Sequence, residues 1–165
     1  MTSKLRIVLS VVLIALPLDQ LSKFLVESRI PQAARIPIVE GLVYVTHTRN
    51  SGAAFGLFAS MAPTGKLIGF ALIALAAGIA IAAFYQRLAP GDRVQALGLS
   101  LVLAGAAGNF SDRIWRGDVI DLLHVRFWAG YAWPDFNVAD VCIIMGVLAL
   151  ITDLLSREAM ARAAE

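Results

Sequence analysis

Two carboxylates carry the sharpest chemistry in this sequence. Asp121 follows Gly117-Asp118-Val119-Ile120 and precedes Leu122-Leu123, so apolar residues bound it on both sides. Asp140 stands in Phe136-Asn137-Val138-Ala139-Asp140, at the start of an apolar run. Nineteen positions separate the two, which is room for an excursion over a surface and a return. Carboxylates brought within a few ångströms of each other share a proton, because both cannot ionise side by side. One then serves as a base that activates water, the other as an acid toward a leaving group. The plainer reading makes Asp140 an acid that complements a helix N-terminus and Asp121 a solvated loop carboxylate.

Other polar residues fall at helical spacing. Asp19 and Lys23 are four apart, so they share a helix face and can pair, either as an anchoring ion pair or as a substrate contact. Asn109 and Arg113 repeat that spacing. Arg113 brings a planar donor fork suited to a carboxylate or to backbone carbonyls; the alternative is that it reaches the lipid headgroups. Asn109 and Asn137 are neutral donors able to orient carboxylates or a peptide carbonyl. His47 and His124 are the only histidines, with no His-Glu-x-x-His and no paired cysteines, so no zinc site is expected. His124, three residues after Asp121, is placed either to tune it or simply to sit at an interface. Cys142 stands alone, which excludes an intramolecular disulfide and a thiolate cluster. Ser22, Ser51 and Ser111 lack a nucleophile-elbow context, although Lys23 with a serine would permit a Ser–Lys dyad.

These residues sit in a greasy chain. Of 165 residues, 59% are hydrophobic and 16% charged, and the mean hydropathy is +0.75. An ordinary soluble domain is roughly 45–50% apolar and about 25% charged, and disorder needs the opposite bias. The length allows one domain, 1–165, with room for about four membrane spans of roughly 20 residues each. The apolar runs fall at about 7–26, 67–85, 94–113 and 138–155. An ionised side chain inside a span costs several kcal/mol unless it is paired or faces a cavity, so such residues are functional candidates by default.

Lys4 and Arg6 ahead of the first run resemble the start of a secretory signal. Asp19 and Lys23 follow the apolar core instead of an Ala-x-Ala arrangement, so an uncleaved helix is expected. Lys4, Arg6, Arg87, Arg93, Arg157 and Arg162 lie in short segments on one side. Arg29, Arg35, Arg49, Arg113, Arg116 and Arg126 are spread over the other side, in or beside two longer connections, 27–66 and 114–137. That density places both termini in the cytoplasm. The first connection contains Leu42-Val43-Tyr44-Val45-Thr46, a strand or hairpin signal. The second holds Trp115, Trp128, Tyr131 and Trp133, the aromatic type found at the water–lipid boundary. The formal charge of +2 is scattered and does not suggest nucleic acid. A small proton-coupled transporter would also place Asp, Lys and Arg within spans. Against it stand the lack of an inverted repeat and the grouping of polar residues toward one membrane face. A non-catalytic assembly subunit, in which the charges only pair helices, is a third class.

Four blocks give the sequence a resemblance. They are Asp19-Gln20-Leu21-Ser22-Lys23; Asn50-Ser51-Gly52-Ala53-Ala54-Phe55-Gly56; Gly108-Asn109-Phe110-Ser111-Asp112-Arg113 through Val119-Ile120-Asp121; and Phe136-Asn137-Val138-Ala139-Asp140. Together they resemble the ordered motifs of the lipoprotein signal peptidase (signal peptidase II) family. Each block is weak alone, but four in order across nearly the whole chain are specific. Ala104-Gly105 stands where the family often has Gly-Gly, and Asp121-Leu122 where Asp-Phe is common; neither departure touches a carboxylate.

The resemblance implies an all-α membrane protein of four transmembrane helices. It adds a small extracytoplasmic β-cradle from the first outer connection and a short extracytoplasmic helix in the second. The implied activity is that of a bacterial inner-membrane aspartic endopeptidase. It would remove signal peptides from prolipoproteins that carry a diacylglyceryl group on the lipobox cysteine, cleaving on the amino side of that cysteine. By the same likeness Asp121 and Asp140 are the catalytic pair, and Asp19, Lys23, Asn50, Gly52, Asn109, Arg113, Asn137 and Ala139 line or support the site. Membrane lipids are neighbours and cyclic peptides of the globomycin type are implied inhibitors. No metal and no organic cofactor is implied.

Overall fold

The computed structural model describes residues 2–52, 61–127 and 130–164. Its frame is four helices, α1 (Ser3–Arg29), α2 (Pro63–Arg87), α3 (Arg93–Trp115) and α4 (Val138–Ala163), each long and apolar enough to cross a membrane. All four contain the expected apolar runs and outrun them at one or both ends, because polar residues finish the helices. Thr2 caps α1 by accepting the Leu5 N–H through its hydroxyl at 3.3 Å. Pro63 opens α2, where its missing N–H is no loss. The far end of α4 is held by Arg157, which reaches Asp153 one turn back and Asp92 ahead of α3, both at 2.6 Å.

α3 is the most enclosed helix and the hub. It packs on α1, α2 and α4, whereas α2 packs mainly on α3 and meets α1 where Lys4 Nζ lies 5.3 Å from the centre of the Tyr85 ring. The α3–α4 seam is made of small residues. A Cβ on Gly98 would stand 2.9 Å from the Gly146 carbonyl oxygen, and one on Gly146 would stand 2.6 Å from that of Gly98. Lipid tails give helices no hydrophobic reason to associate, so close backbone approach and packing must do it. Gly98→Val should wedge this seam open and lower stability by about 1–3 kcal/mol. The check is the thermal unfolding midpoint in detergent; an unchanged midpoint would mean the seam tolerates the added width.

α1 is inverted relative to a helix of a soluble protein. Its buried residues are Asp19, Lys23 and Val26, while Leu13, Ile14 and Leu18 lie exposed. Charges face the bundle and apolar side chains face outward, as lipid requires.

The two long connections build one sheet. β1 (Arg35–Val39) and β2 (Val43–Asn50) form the hairpin signalled by the first connection, and β3 (Val119–Val125) pairs antiparallel with β2, in the order β1-β2-β3. The resemblance put a short helix in the second connection. The described residues there include β3, isolated bridges at Leu123–Phe136 and Arg126–Ala132, and Gly130 in a 3₁₀ conformation next to Trp128 and Ala129, which lie outside the described residues. Ile120 and Leu122 of β3 pack against Val26 of α1, which buries the strand from below. Gly117, at φ +81°, makes the turn from α3 into β3 in a left-handed conformation that a Cβ disfavours. Trp115, Tyr131 and Trp133 are exposed. Trp128 and the block Ala53-Ala54-Phe55-Gly56 lie outside the described residues.

Candidate active site

β3 and the start of α4 converge on a single asparagine. Asn137 is the N-cap of α4, and its carbonyl oxygen accepts the Asp140 N–H at 3.0 Å. The Asp140 carboxylate returns the bond to the Asn137 N–H at 3.1 Å, closing a capping box. The remaining donor of Asn137, its NH₂, reaches Asp121 Oδ1 at 2.8 Å. One fully buried residue thus holds both carboxylates, Asp121 through its side-chain NH₂ and Asp140 through its backbone N–H. The plainer reading of Asp140 as a helix N-terminal acid is correct but incomplete. That of Asp121 as a solvated loop carboxylate is not, since Asp121 lies on a strand and is 2% exposed.

The other two carboxylate oxygens are taken by two more amides. Asn50 Nδ2 donates to Asp121 Oδ2 at 3.1 Å, and Asn109 Nδ2 donates to Asp140 Oδ1 at 2.7 Å. In each amide the carbonyl oxygen is already occupied by a donor: Gly52 N–H for Asn50 at 3.2 Å and Lys23 Nζ for Asn109 at 3.1 Å. The NH₂ groups are therefore forced toward the carboxylates.

Lys23 is close but its charge is spent elsewhere. It is fully buried and lies 2.8 Å from Asp19 and 2.7 Å from Asp112. Its direct ion pairs are thus with Asp19 and Asp112, whereas the hydrogen-bond partners of Asp121 and Asp140 are neutral amides. Burial pushes Asp121 up to about 6, and the Asp140 charge adds to this against the opposing bonds from Asn50 and Asn137. Asp121 therefore holds its proton to a higher pH than a free carboxylate does.

Asp19 also fixes α4, because its Oδ1 accepts the Ala139 N–H at 2.9 Å. Gly108 makes room for this: a Cβ there would stand 2.6 Å from Asp19 Oδ2. Arg113 ties α3 to the first connection. Its guanidinium donates to Asn109 O at 2.9 Å and to Gly52 O at 3.1 Å, and lies 3.7 Å from the centre of the Phe70 ring.

A family model described as signal peptidase (SPase) II matches residues 11–156. The chain belongs to the signal peptidase II family. It is 39% identical over 153 residues to the lipoprotein signal peptidase of Geobacter sulfurreducens, covering 93% of this chain and 94% of the relative. The likeness to the lipoprotein signal peptidase of Bacillus subtilis is 38% over 145 residues, 88% of this chain and 90% of that one. A solved structure described as a bacterial membrane enzyme superimposes with a TM-score of 0.77 at 30% identity, covering 93% of this chain and 92% of that chain. Signal peptidase II is a protease, and nothing in these comparisons favours a transporter.

Within this signal peptidase II fold, all ten residues singled out in the sequence meet in one region. Several that the sequence did not single out join them. Asp112, fully buried, bridges Lys23 to Arg116, which lies 2.6 Å from its Oδ1. Gln20 donates to Asp112 at 3.0 Å and to Gly108 O at 3.2 Å. Glu27 links Arg116 at 3.0 Å to Arg49 at 2.6 Å. The four-residue spacing of Asp112 and Arg116 was the available signal. Among the described residues no serine is hydrogen-bonded to Lys23: Ser22 and Ser111 each donate to backbone carbonyls, Asp19 O and Ala107 O. His124 does not touch Asp121 but lies against Asp135.

Lys in place of Arg113 keeps the charge and loses the fork. Arg113→Lys should lower turnover about tenfold and depress the unfolding midpoint, because one ammonium cannot span two carbonyls and stack on Phe70. Wild-type turnover and midpoint in the same detergent would make Arg113 a headgroup anchor only.

Proposed function

We propose that this signal peptidase II is an aspartic endopeptidase acting on prolipoproteins whose lipobox cysteine carries a diacylglyceryl group, with cleavage on the amino side of that cysteine. The observation that carries the reading is the fastening of the Asp121 and Asp140 carboxylates, from different elements, to the one residue Asn137, by its side-chain NH₂ and its backbone N–H. The dyad holds one proton. Asp121 is its better holder, since burial and the neighbouring charge both favour the neutral form. Asp140, held by Asn109, takes a proton from water as the oxygen attacks the scissile carbonyl. Asp121 gives its proton to that carbonyl oxygen, forming a tetrahedral diol. Asp140 then gives the proton it took to the leaving nitrogen while Asp121 takes back a diol O–H proton. The C–N bond breaks, the carbonyl re-forms as the carboxyl of the released signal peptide, and the carboxylate pair is restored.

The whole chain, 1–165, serves as one peptidase domain in the bacterial inner membrane. Both termini are cytoplasmic and the sheet and dyad lie at the outer face. The outward apolar surface meets membrane lipids and would hold the substrate's acyl chains in hydrocarbon while its peptide bond reaches the carboxylates. Globomycin-type cyclic peptides would compete at this site.

Purified protein in detergent should convert a diacylglyceryl-modified prolipoprotein into a product whose N-terminal residue is the lipidated cysteine, by mass spectrometry. The unmodified precursor should be cut far more slowly. Equal cleavage of both would overturn the lipid requirement. EDTA should leave the rate unchanged, because carboxylates and amides supply the chemistry without a Lewis acid; loss in EDTA that zinc restores would sink the proposed mechanism.

A further inference from the structure

His124, Asp135 and Thr48 have no place in the chemistry above, yet they form a hydrogen-bonded chain beside it. His124 Nδ1 lies 2.6 Å from Asp135 Oδ1. Thr48 Oγ1 donates to Asp135 Oδ2, also at 2.6 Å. Thr46 Oγ1 lies 3.3 Å from Thr48 Oγ1 and donates to Ala34 O at 3.2 Å. His124 is 5% exposed, so the link is shielded from water.

The placement of these residues gives the link its meaning. His124 sits on β3, the strand of Asp121. Thr48 sits on β2 directly opposite Asp121 in the register. Asp135 comes two positions before Asn137. Between them, Phe136 donates to Leu123 O at 3.0 Å, and its own carbonyl accepts from Leu122 and Leu123 at 3.0 and 2.9 Å. The segment entering α4 is thus held to β3 by backbone bonds at Phe136 and by side-chain bonds at Asp135.

The geometry points to a positioning role: the His124–Asp135–Thr48 clip sets the distance between β3, which carries Asp121, and the start of α4, which carries Asp140. Hydrogen bonds to an ionised carboxylate are short and about twice as strong as neutral ones, so Asp135 anchors the segment better than its backbone alone. The inference rests on the dyad reading, and it makes three further residues matter to the rate without touching substrate.

The test uses two variants that preserve shape. Thr48→Val removes one donor to Asp135, and Asp135→Asn removes the charge. Each should lower kcat about tenfold on the diacylglyceryl-prolipoprotein, with KM within about twofold, since a small misplacement of reacting groups is costly in rate. The double variant should be no slower than the slower single, because the residues act as a unit. His124→Gln, which keeps a donor toward Asp135, should retain more kcat than His124→Ala. Wild-type kcat in both shape-preserving variants overturns the clip, as does a rise in KM alone or losses that multiply in the double. A purely structural role would lower the unfolding midpoint and leave kcat per folded molecule unchanged. The dyad reading fails separately, if Asp121→Asn or Asp140→Asn stays active. Inactive dyad variants beside fully active clip variants remove only this inference.

Discussion

Cleavage should vanish in both Asp121→Asn and Asp140→Asn while the protein still inserts and folds. An amide nearly matches a carboxylate in shape but cannot serve as the base or share the proton. The site adds a second obstacle. Every oxygen of the two carboxylates faces an N–H donor, so an amide NH₂ placed there opposes at least one of them. Each single variant should lose roughly 10³-fold or more in kcat, about as much as the double, because the carboxylates work as a unit. Near-wild-type turnover per folded molecule in either would sink the assignment.

The pH dependence follows from the same pair. The Asp121 carboxyl is raised from its ordinary value of 3.8 to about 6 in the fold, by burial first. The folded protein therefore binds the extra proton between those values, and the stability this group contributes declines as pH rises from about 4 to about 6. Activity should also fall as the pH climbs past the point where the shared proton is lost. Unfolding midpoints measured from about pH 4 to about pH 7, roughly the window set by the two pKa values, should slope downward in the wild type. The slope should flatten in Asp121→Asn; an identical slope in both would place the titration on another group.

Lys23→Met should be the most damaging single change to the fold. Lys23 is the only cation within 4 Å of Asp19 among the described residues, and it also meets Asp112. Removing one partner of a buried ion pair costs about 3–5 kcal/mol, because the other charge stays buried and unpaired. Asp112 keeps Arg116, so the burden falls on Asp19. Adding Asp19→Asn should recover much of the midpoint, since the Asn oxygen can still accept the Ala139 N–H. If Lys23→Met alone unfolds like the wild type, the network is not holding α1, α3 and α4 together.

How much of this was legible depended on distance along the chain. The Asp19–Lys23 pair was, because a four-residue spacing is a local fact about a helix. So were the spans, whose apolar runs need no partner to be recognised. The strand Val119–Val125 was not: both of its faces are largely buried, so Val-Ile-Asp-Leu-Leu-His-Val lacks the alternation that marks a half-exposed strand. Asp121 accordingly read as loop. Asp112 was quoted within a motif and given no task, because its lysine lies on another helix. The pairing of His124 with Asp135 is likewise a product of the return path over the membrane face, which no spacing rule encodes.

The buried ion pairs also bear on how the chain enters a bilayer. A lone Asp or Lys at the centre of an inserting helix carries a penalty of roughly 2.5–3.5 kcal/mol. α1 does not present Asp19 and Lys23 as separate charges, since they sit one turn apart and meet within the same helix. α3 does the same with Asp112 and Arg116. Each of these helices therefore carries its own counter-ion and can be handed to the lipid one at a time as the ribosome delivers it. The cross-links from Lys23 to Asp112 and from Asp19 to Ala139 form only when the later helices dock. The order of synthesis thus matches the order in which charges find partners, and Asp121 and Asp140 come together last, with the arrival of α4.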